Sequence, residues 1–333
     1  MTNAMNADWI NFLKSRYPNS IHNSVIDQSD QQQLQNTISP LTHLAILKVT
    51  GDDASHFLQG QLTCNINELD QSKSFFTAFC NAKGRTICTL LIIKTTTDYL
   101  LILPAELIDK VSKKLQMYIM RSKVQLSNVT NELCLTGIQT STPSILPCLP
   151  ETAFTVIQEE NIIVKFPLSG HRYLVICPTQ QSITLWTDLS NANLVTATSL
   201  ESWNAQDISA GIPWLTQTTS EVYIPQMLNI DKLGGISFTK GCYTGQEIIA
   251  RTHYLGKAKR ELFLAYCENT ALIDDGSQIM ANNNEQTIGK VLSLQTSSEN
   301  TKILIVIQSA DAKLKNLTLN NSNQDKINII EFQ

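Results

Sequence analysis

Residues 240–247 read Lys240-Gly241-Cys242-Tyr243-Thr244-Gly245-Gln246-Glu247, and the rest of the chain is read outward from them. Thr244 and Glu247 have the spacing of a capping box, in which the hydroxyl takes the amide of Glu247 and the carboxylate reaches back to the amide of Thr244. The spacing predicts a helix that starts at Gly245, uses Ile248 and Ile249 as its apolar face and stops at a left-handed Gly256, about three turns in all. Cys242 then lies just before the amino end of that helix, where free amides carry partial positive charge, with Lys240 two residues upstream. Both features favour thiolate over thiol. Gly241 and Gly245 flank the sulfur with residues that let a ligand or partner approach the backbone. The competing reading makes Cys242 a small buried hydrophobe and the glycines parts of a turn.

The chain has 333 residues, enough for two or three domains and a sizeable core. Hydrophobic residues make up 42% and charged residues 16%, so it is globular rather than disordered. A net charge of -4 excludes a general attraction to nucleic acid, and no basic run is long enough to form a patch by itself. The first residues lack the regions of a signal peptide, no apolar run approaches a membrane helix, and the expectation is a cytoplasmic protein with no membrane partner. Eight cysteines are scattered without a Cys-x-x-Cys pair or a Cys/His cluster, so they read as reduced thiols, and no metal held by this chain alone is expected.

Taken in order, residues 8–17 form a short amphipathic helix and 27–36 a Gln-rich surface link. Residues 44–49 are a strand, followed by a helix through His56, an exposed or partly packed residue. Strands at 75–80, 86–94 and 99–103 make a meander whose first turn carries Lys83 and Arg85, either a solvated turn or an anion site. Pro104 opens a helix with Leu107, Ile108, Val111, Leu115, Tyr118 and Ile119 on one stripe. Further strand-like pieces, helices at 180–189 and 199–210, and a long loop at 216–238 lead back to the opening motif. Short alternating runs after Gly256 suggest a small β-barrel or sandwich. The expected class is α+β: a first lobe at 1–125, a related second lobe at 126–255 that carries the motif, and a barrel at 256–333.

With these residues collected, the chain resembles the YgfZ-type folate-binding proteins, relatives of the glycine-cleavage T-protein. The resemblance rests on Val49-Thr-Gly-Asp-Asp-Ala54 through Phe57-Leu-Gln-Gly-Gln-Leu-Thr63, on Lys83-Gly-Arg85, and on Gly235-Ile-Ser-Phe238 with residues 240–247 and Ala250-Arg251. It implies two α+β lobes and a carboxy-terminal barrel around a central cavity that holds a tetrahydrofolate or a derivative. It also implies service to iron–sulfur proteins such as tRNA-modifying enzymes. By that resemblance Cys242 and Lys240 carry the chemistry. Trp203, Asp207, Tyr243, Gln246 and Glu247 serve the ligand, and Arg251, Lys83 or Arg85 serves its glutamate tail.

Two positions depart from the family pattern. Leu44 stands near a second folate-linked tryptophan, and Ser209 near an acid that recognises the pterin, for which Asp207 is the substitute. Two other functions stay in view: aminomethyl transfer to tetrahydrofolate, for which the run 85–93 lacks the T-protein aspartate, and a folate-gated binding module with a structural Cys242.

Overall fold

The computed structural model describes residues 6–16, 36–141, 145–167, 170–256, 258–267, 273–281, 287–296, 300–314, 316–321 and 325–332. The Gln-rich link lies outside them apart from Asn36. The chain begins with α1 (Ala7–Arg16), β1 (Thr37–Pro40), β2 (Leu44–Thr50) and α2 (Ala54–Gln59). Three almost wholly buried runs follow, β3 (Ser74–Cys80), β4 (Thr86–Lys94) and β5 (Tyr99–Pro104), rich in the β-branched and aromatic residues that a covered pleated surface selects. Helix α3 (Ile108–Ile119) turns Ile108, Val111, Leu115 and Ile119 inward. Tyr118, expected on that stripe, is exposed, because Ile119 holds the inward position in the last turn.

After β6 (Gln125–Asn128) come β7 (Leu133–Thr140), β8 (Val156–Gln158), β9 (Ile162–Lys165), β10 (His171–Pro178), α4 (Thr179–Asn191), β11 (Thr196–Ala197) and α5 (Leu200–Ser209). Helix α6 (Gln246–Tyr254) carries the end of the opening motif. The strands β12 (Arg260–Cys267), β13 (Gln278–Ala281), β14 (Thr287–Thr296), β15 (Thr301–Gln308), β16 (Leu317–Leu319) and β17 (Lys326–Ile330) end the chain.

These elements fall into two compact units. The first comprises Met1–Phe57, Ile66–Phe75 and Leu91–Trp203; the second comprises Leu58–Asn65, Phe76–Leu90 and Asn204–Gln333. In the first unit a six-stranded sheet runs β11-β1-β7-β10-β9-β8, with β10 antiparallel to β7 over its whole length. Its core includes Ile138, Tyr173 and Val175. Helix α1 joins that core through Trp9, whose ring meets Trp186 of α4 edge-on at 5.6 Å. A second sheet has the order β3-β4-β5-β2-β6.

In the second unit β12-β15-β14-β13-β16-β17 closes into a barrel, the closing pair being β12 and β17 from Leu264↔Ile330 to Cys267↔Ile327. Ile279, Val291, Ile303, Ile305 and Leu317 fill it. Two sheets with their helices and a carboxy-terminal barrel are the α+β architecture expected from the sequence. Closure depends on β13 and β16, four and three residues long and too short to register as strands beforehand.

Candidate functional site

The motif loop sits in the second unit, and its residues divide sharply by what they touch. Lys240 is 8% exposed and donates from Nζ to the carbonyls of Leu62 and Cys64, each at 2.7 Å. Burial lowers its pKa to about 8. The ammonium also stands 4.8 Å from the centre of the Tyr243 ring. Tyr243 is buried, and burial, with the neighbouring Cys80 adding to it, pushes its hydroxyl far above the usual range. Burial takes Cys80 itself up to about 12, so the floor beneath the loop is a protonated thiol and phenol.

Thr244 does not form the expected capping box. Its amide donates to the Gly60 carbonyl at 3.1 Å and its hydroxyl points to Gly60 O and Gln61 Oε1. The residue that caps α6 is Gly245, in the left-handed region at φ 83 with no side-chain cap, so Gln246 is the first helical residue. At the other end the cap is Leu255 at φ −112, and Gly256 is not left-handed. The helix is thus placed as predicted but bounded by different means. Its sequence signals were local, whereas the hydroxyl is captured by a segment 183 residues away.

Gly245 is required where it stands. A Cβ there would come within 2.5 Å of the Asn81 carbonyl and 2.9 Å of Gly84 Cα, and Gly84, at φ +68, lies as closely against Ile248. The Lys83-Gly84-Arg85 turn therefore packs on the amino end of α6. Arg85 donates to the Val222 carbonyl at 2.6 Å, and Asn81 donates to Glu221 at 2.7 Å. Thus the segments 58–63, 81–85 and 240–247, far apart in sequence, converge on one loop. Within it Cys242 and Gly241 are exposed, as are Glu247 and Arg251 farther on, while Gln246 is half-buried. Lys83 is exposed as well. The reading of Cys242 as a buried hydrophobe is overturned, since of the eight cysteines only it and Cys148 are exposed.

Trp203 lies in the first unit and is 2% exposed. The Arg172 guanidinium stands 3.7 Å from its ring centre, and a Cβ at Gly137 would fall 2.3 Å from its Cε3. Its indole N–H is buried and has no hydrogen-bond partner among the described residues. In the second unit Asp207 is buried and accepts from Trp214 Nε1 at 2.9 Å. Ser209 donates to the Ala205 carbonyl and accepts from Lys302 at 2.9 Å, and burial lowers the pKa of that lysine. A pterin needs an open aromatic face and a polar acceptor. As they stand these side chains do not fit one, whereas exposed Lys83 and Arg251 suit an anionic tail. The sequence reading missed Arg172 and Lys302, lone basic residues in strands with no motif around them. Among the described residues no three His, Cys, Asp or Glu side chains converge to hold a metal, and no helix is long and apolar enough to cross a membrane.

Residues 1–142 match the GCVT N-terminal domain family. The fold aligns over 90% of this chain and 85% of the other with the glycine cleavage system aminomethyltransferase T of Bartonella henselae, at a TM-score of 0.73 and 14% sequence identity. The architecture is therefore that of the aminomethyltransferase T class. Among curated relatives, the tRNA-modifying protein YgfZ of Colwellia psychrerythraea is 33% identical over 287 residues, 82% of this chain and 86% of its own length. Its counterpart in Yersinia enterocolitica is 32% identical over 276 residues, 81% and 83% of the two chains. The chain belongs to the YgfZ family.

Proposed function

We propose that this chain is a folate-binding accessory protein that supports assembly or repair of iron–sulfur enzymes, including those that modify tRNA, with Cys242 as its reactive group. The relatives named above are called tRNA-modifying proteins, which supports the biological half of this reading. The observation that carries the chemical half is the contrast inside the loop. Lys240, Tyr243, Thr244 and Gly245 are each committed to a neighbour, while the Cys242 thiol between them is exposed.

A Cys242 thiolate attacking a partner's disulfide forms a mixed disulfide and expels the second sulfur as a thiolate; a further thiol attacking the partner's sulfur then releases Cys242 as thiolate and takes its place in the disulfide. Lys240 holds the loop in place for this. Tetrahydrofolate would find cations for its tail at Lys83, Arg85 or Arg251, its pterin would need a seat other than Trp203, Asp207 and Ser209 as they are now partnered, and no step of the thiol chemistry is routed through it. The role belongs to a reducing cytoplasm, in keeping with cysteines scattered along the sequence without a Cys-x-x-Cys pair. Aminomethyl transfer is disfavoured, because β4 reads Thr-Ile-Cys-Thr-Leu-Leu-Ile-Ile-Lys without an acid.

The test measures methylthiolated tRNA nucleosides in a strain deleted for the gene, complemented with wild type or with Cys242→Ala. Restoration by wild type alone is expected. Restoration by both removes the thiol from the mechanism, and nucleosides unchanged by the deletion remove the role.

A further inference from the structure

No basic run marks a nucleic-acid site in the sequence, yet the fold gathers one. Because Gly84 rests on Ile248, the exposed Lys83 and Arg85 flank the first turn of α6, and Arg251, three residues beyond Ile248, carries positive charge one turn farther along. Glu247 is the only acid in the helix. At its carboxyl end Phe238 and His253 stack at 3.6 Å with planes 11° apart, and Tyr254 stands edge-on to both rings. The Tyr254 hydroxyl donates to the Phe238 carbonyl at 3.3 Å, which holds the ring upright while the residue stays 64% exposed.

From this arrangement we infer that the α6 face is a docking surface for a single-stranded segment of RNA, a deepening that rests on the proposed service to tRNA modification. Unpaired bases need a π-face to stack on, and the phosphates beside them need cations. Tyr254, braced by Phe238 and His253, supplies the first; Lys83, Arg85 and Arg251 supply the second. The charge complementarity is local, set against a chain of net charge -4, which points to a polyanion met at this face rather than to general stickiness. A protein partner would use the exposed Ile248 and Leu255 and gain little from three separated cations. A folate tail would use the cations and have no use for Tyr254.

The test is fluorescence anisotropy of an unmodified tRNA transcript, labelled at its 3′ end, against the full chain over about 50 to 200 mM salt. Three phosphate contacts to a single strand predict a slope of log affinity against log salt of about −2. Tyr254→Ala is expected to weaken binding about tenfold with the slope retained. Lys83→Glu combined with Arg251→Glu is expected to flatten the slope. All three positions are exposed, and unchanged thermal unfolding confirms that the variants fold. Absence of binding, or binding that neither variant alters, overturns the inference and leaves the face to a protein partner. If wild type still restores the tRNA nucleosides in the deletion strain, the proposed function survives that failure. If tRNA binds through this face but the deletion leaves the nucleosides unchanged, the function fails and the surface stands.

Discussion

The loop around Cys242 in the second unit and the surroundings of Trp203 in the first hold two side chains that the family resemblance singles out, a thiol and an indole. Around Cys242 the neighbours are locked in place, by the carbonyls of Leu62 and Cys64 on Lys240 and by the close approach of Gly84 to Gly245, and the thiol itself faces outward. Around Trp203 the reverse holds: Arg172 and Gly137 close on the indole, and what remains is one unpartnered N–H. A residue carried by a family pattern is thus an exposed side chain in one place and a packing element in the other. Stability and function should separate accordingly.

The largest effect tests the first-unit half of that contrast. Trp203→Ala removes a fully buried indole and leaves Arg172 without the ring it lies on, so a loss of about 3–5 kcal/mol is expected in denaturant unfolding. A loss below about 1 kcal/mol would mean that the indole is not part of the core, and the contrast would collapse. Next in size is Gly245→Val. It forces a β-branched residue to φ 83 and drives a Cβ into the Asn81 carbonyl, at a cost of about 2–4 kcal/mol. A melting temperature close to wild type would show that the turn and α6 can part without penalty.

Lys240→Met sharpens the second-unit half. The methionine fills the space but strands the carbonyls of Leu62 and Cys64, costing about 1–3 kcal/mol near neutral pH. The pH dependence has a definite sign. Burial lowers the Lys240 pKa from 10.5 to about 8, so between those values the folded chain binds fewer protons than the unfolded one and stability rises with pH. Below about 8 the cost of burying the ammonium is present in full. Wild type should therefore gain stability relative to Lys240→Met as pH rises from about 8 to 10.5. A flat difference across that window would show that the lysine is solvated.

What the sequence revealed follows from the range over which each signal acts. The runs at 75–80, 86–94 and 99–103 were legible as strands because burial on both faces leaves an unbroken apolar run, and α6 because Gly245 and Gly256 bracket a stretch with the apolar pair Ile248-Ile249. The cap of α6 was misassigned because Gly60 and Gln61, nearly two hundred positions earlier, capture the Thr244 hydroxyl. For the same reason Lys240 looked like a neighbour for the thiol, when its partners are carbonyls of residues 62 and 64. Asp207 looked available to a ligand until Trp214, seven residues on, was seen to take its carboxylate. Composition locates a charged group, but its partner is a property of the fold.

The smallest expected effect on stability belongs to the residue expected to matter most in function. Cys242→Ala removes an exposed sulfur from a loop whose anchors are all elsewhere, so unfolding should shift by no more than about 0.5 kcal/mol. Cys148 is the internal control, being the other exposed cysteine, while Cys64, Cys80, Cys88, Cys134, Cys177 and Cys267 are buried. Alkylation of the native chain, read by mass spectrometry, should label Cys242 and Cys148 and spare those six. In the variant only the Cys148 adduct should remain. A shift of about 2 kcal/mol or more would make the cysteine a structural member of the loop, in which case lost tRNA modification in the variant would report unfolding rather than chemistry. A small shift together with lost modification assigns the loss to the sulfur, because everything that shapes the loop is still in place.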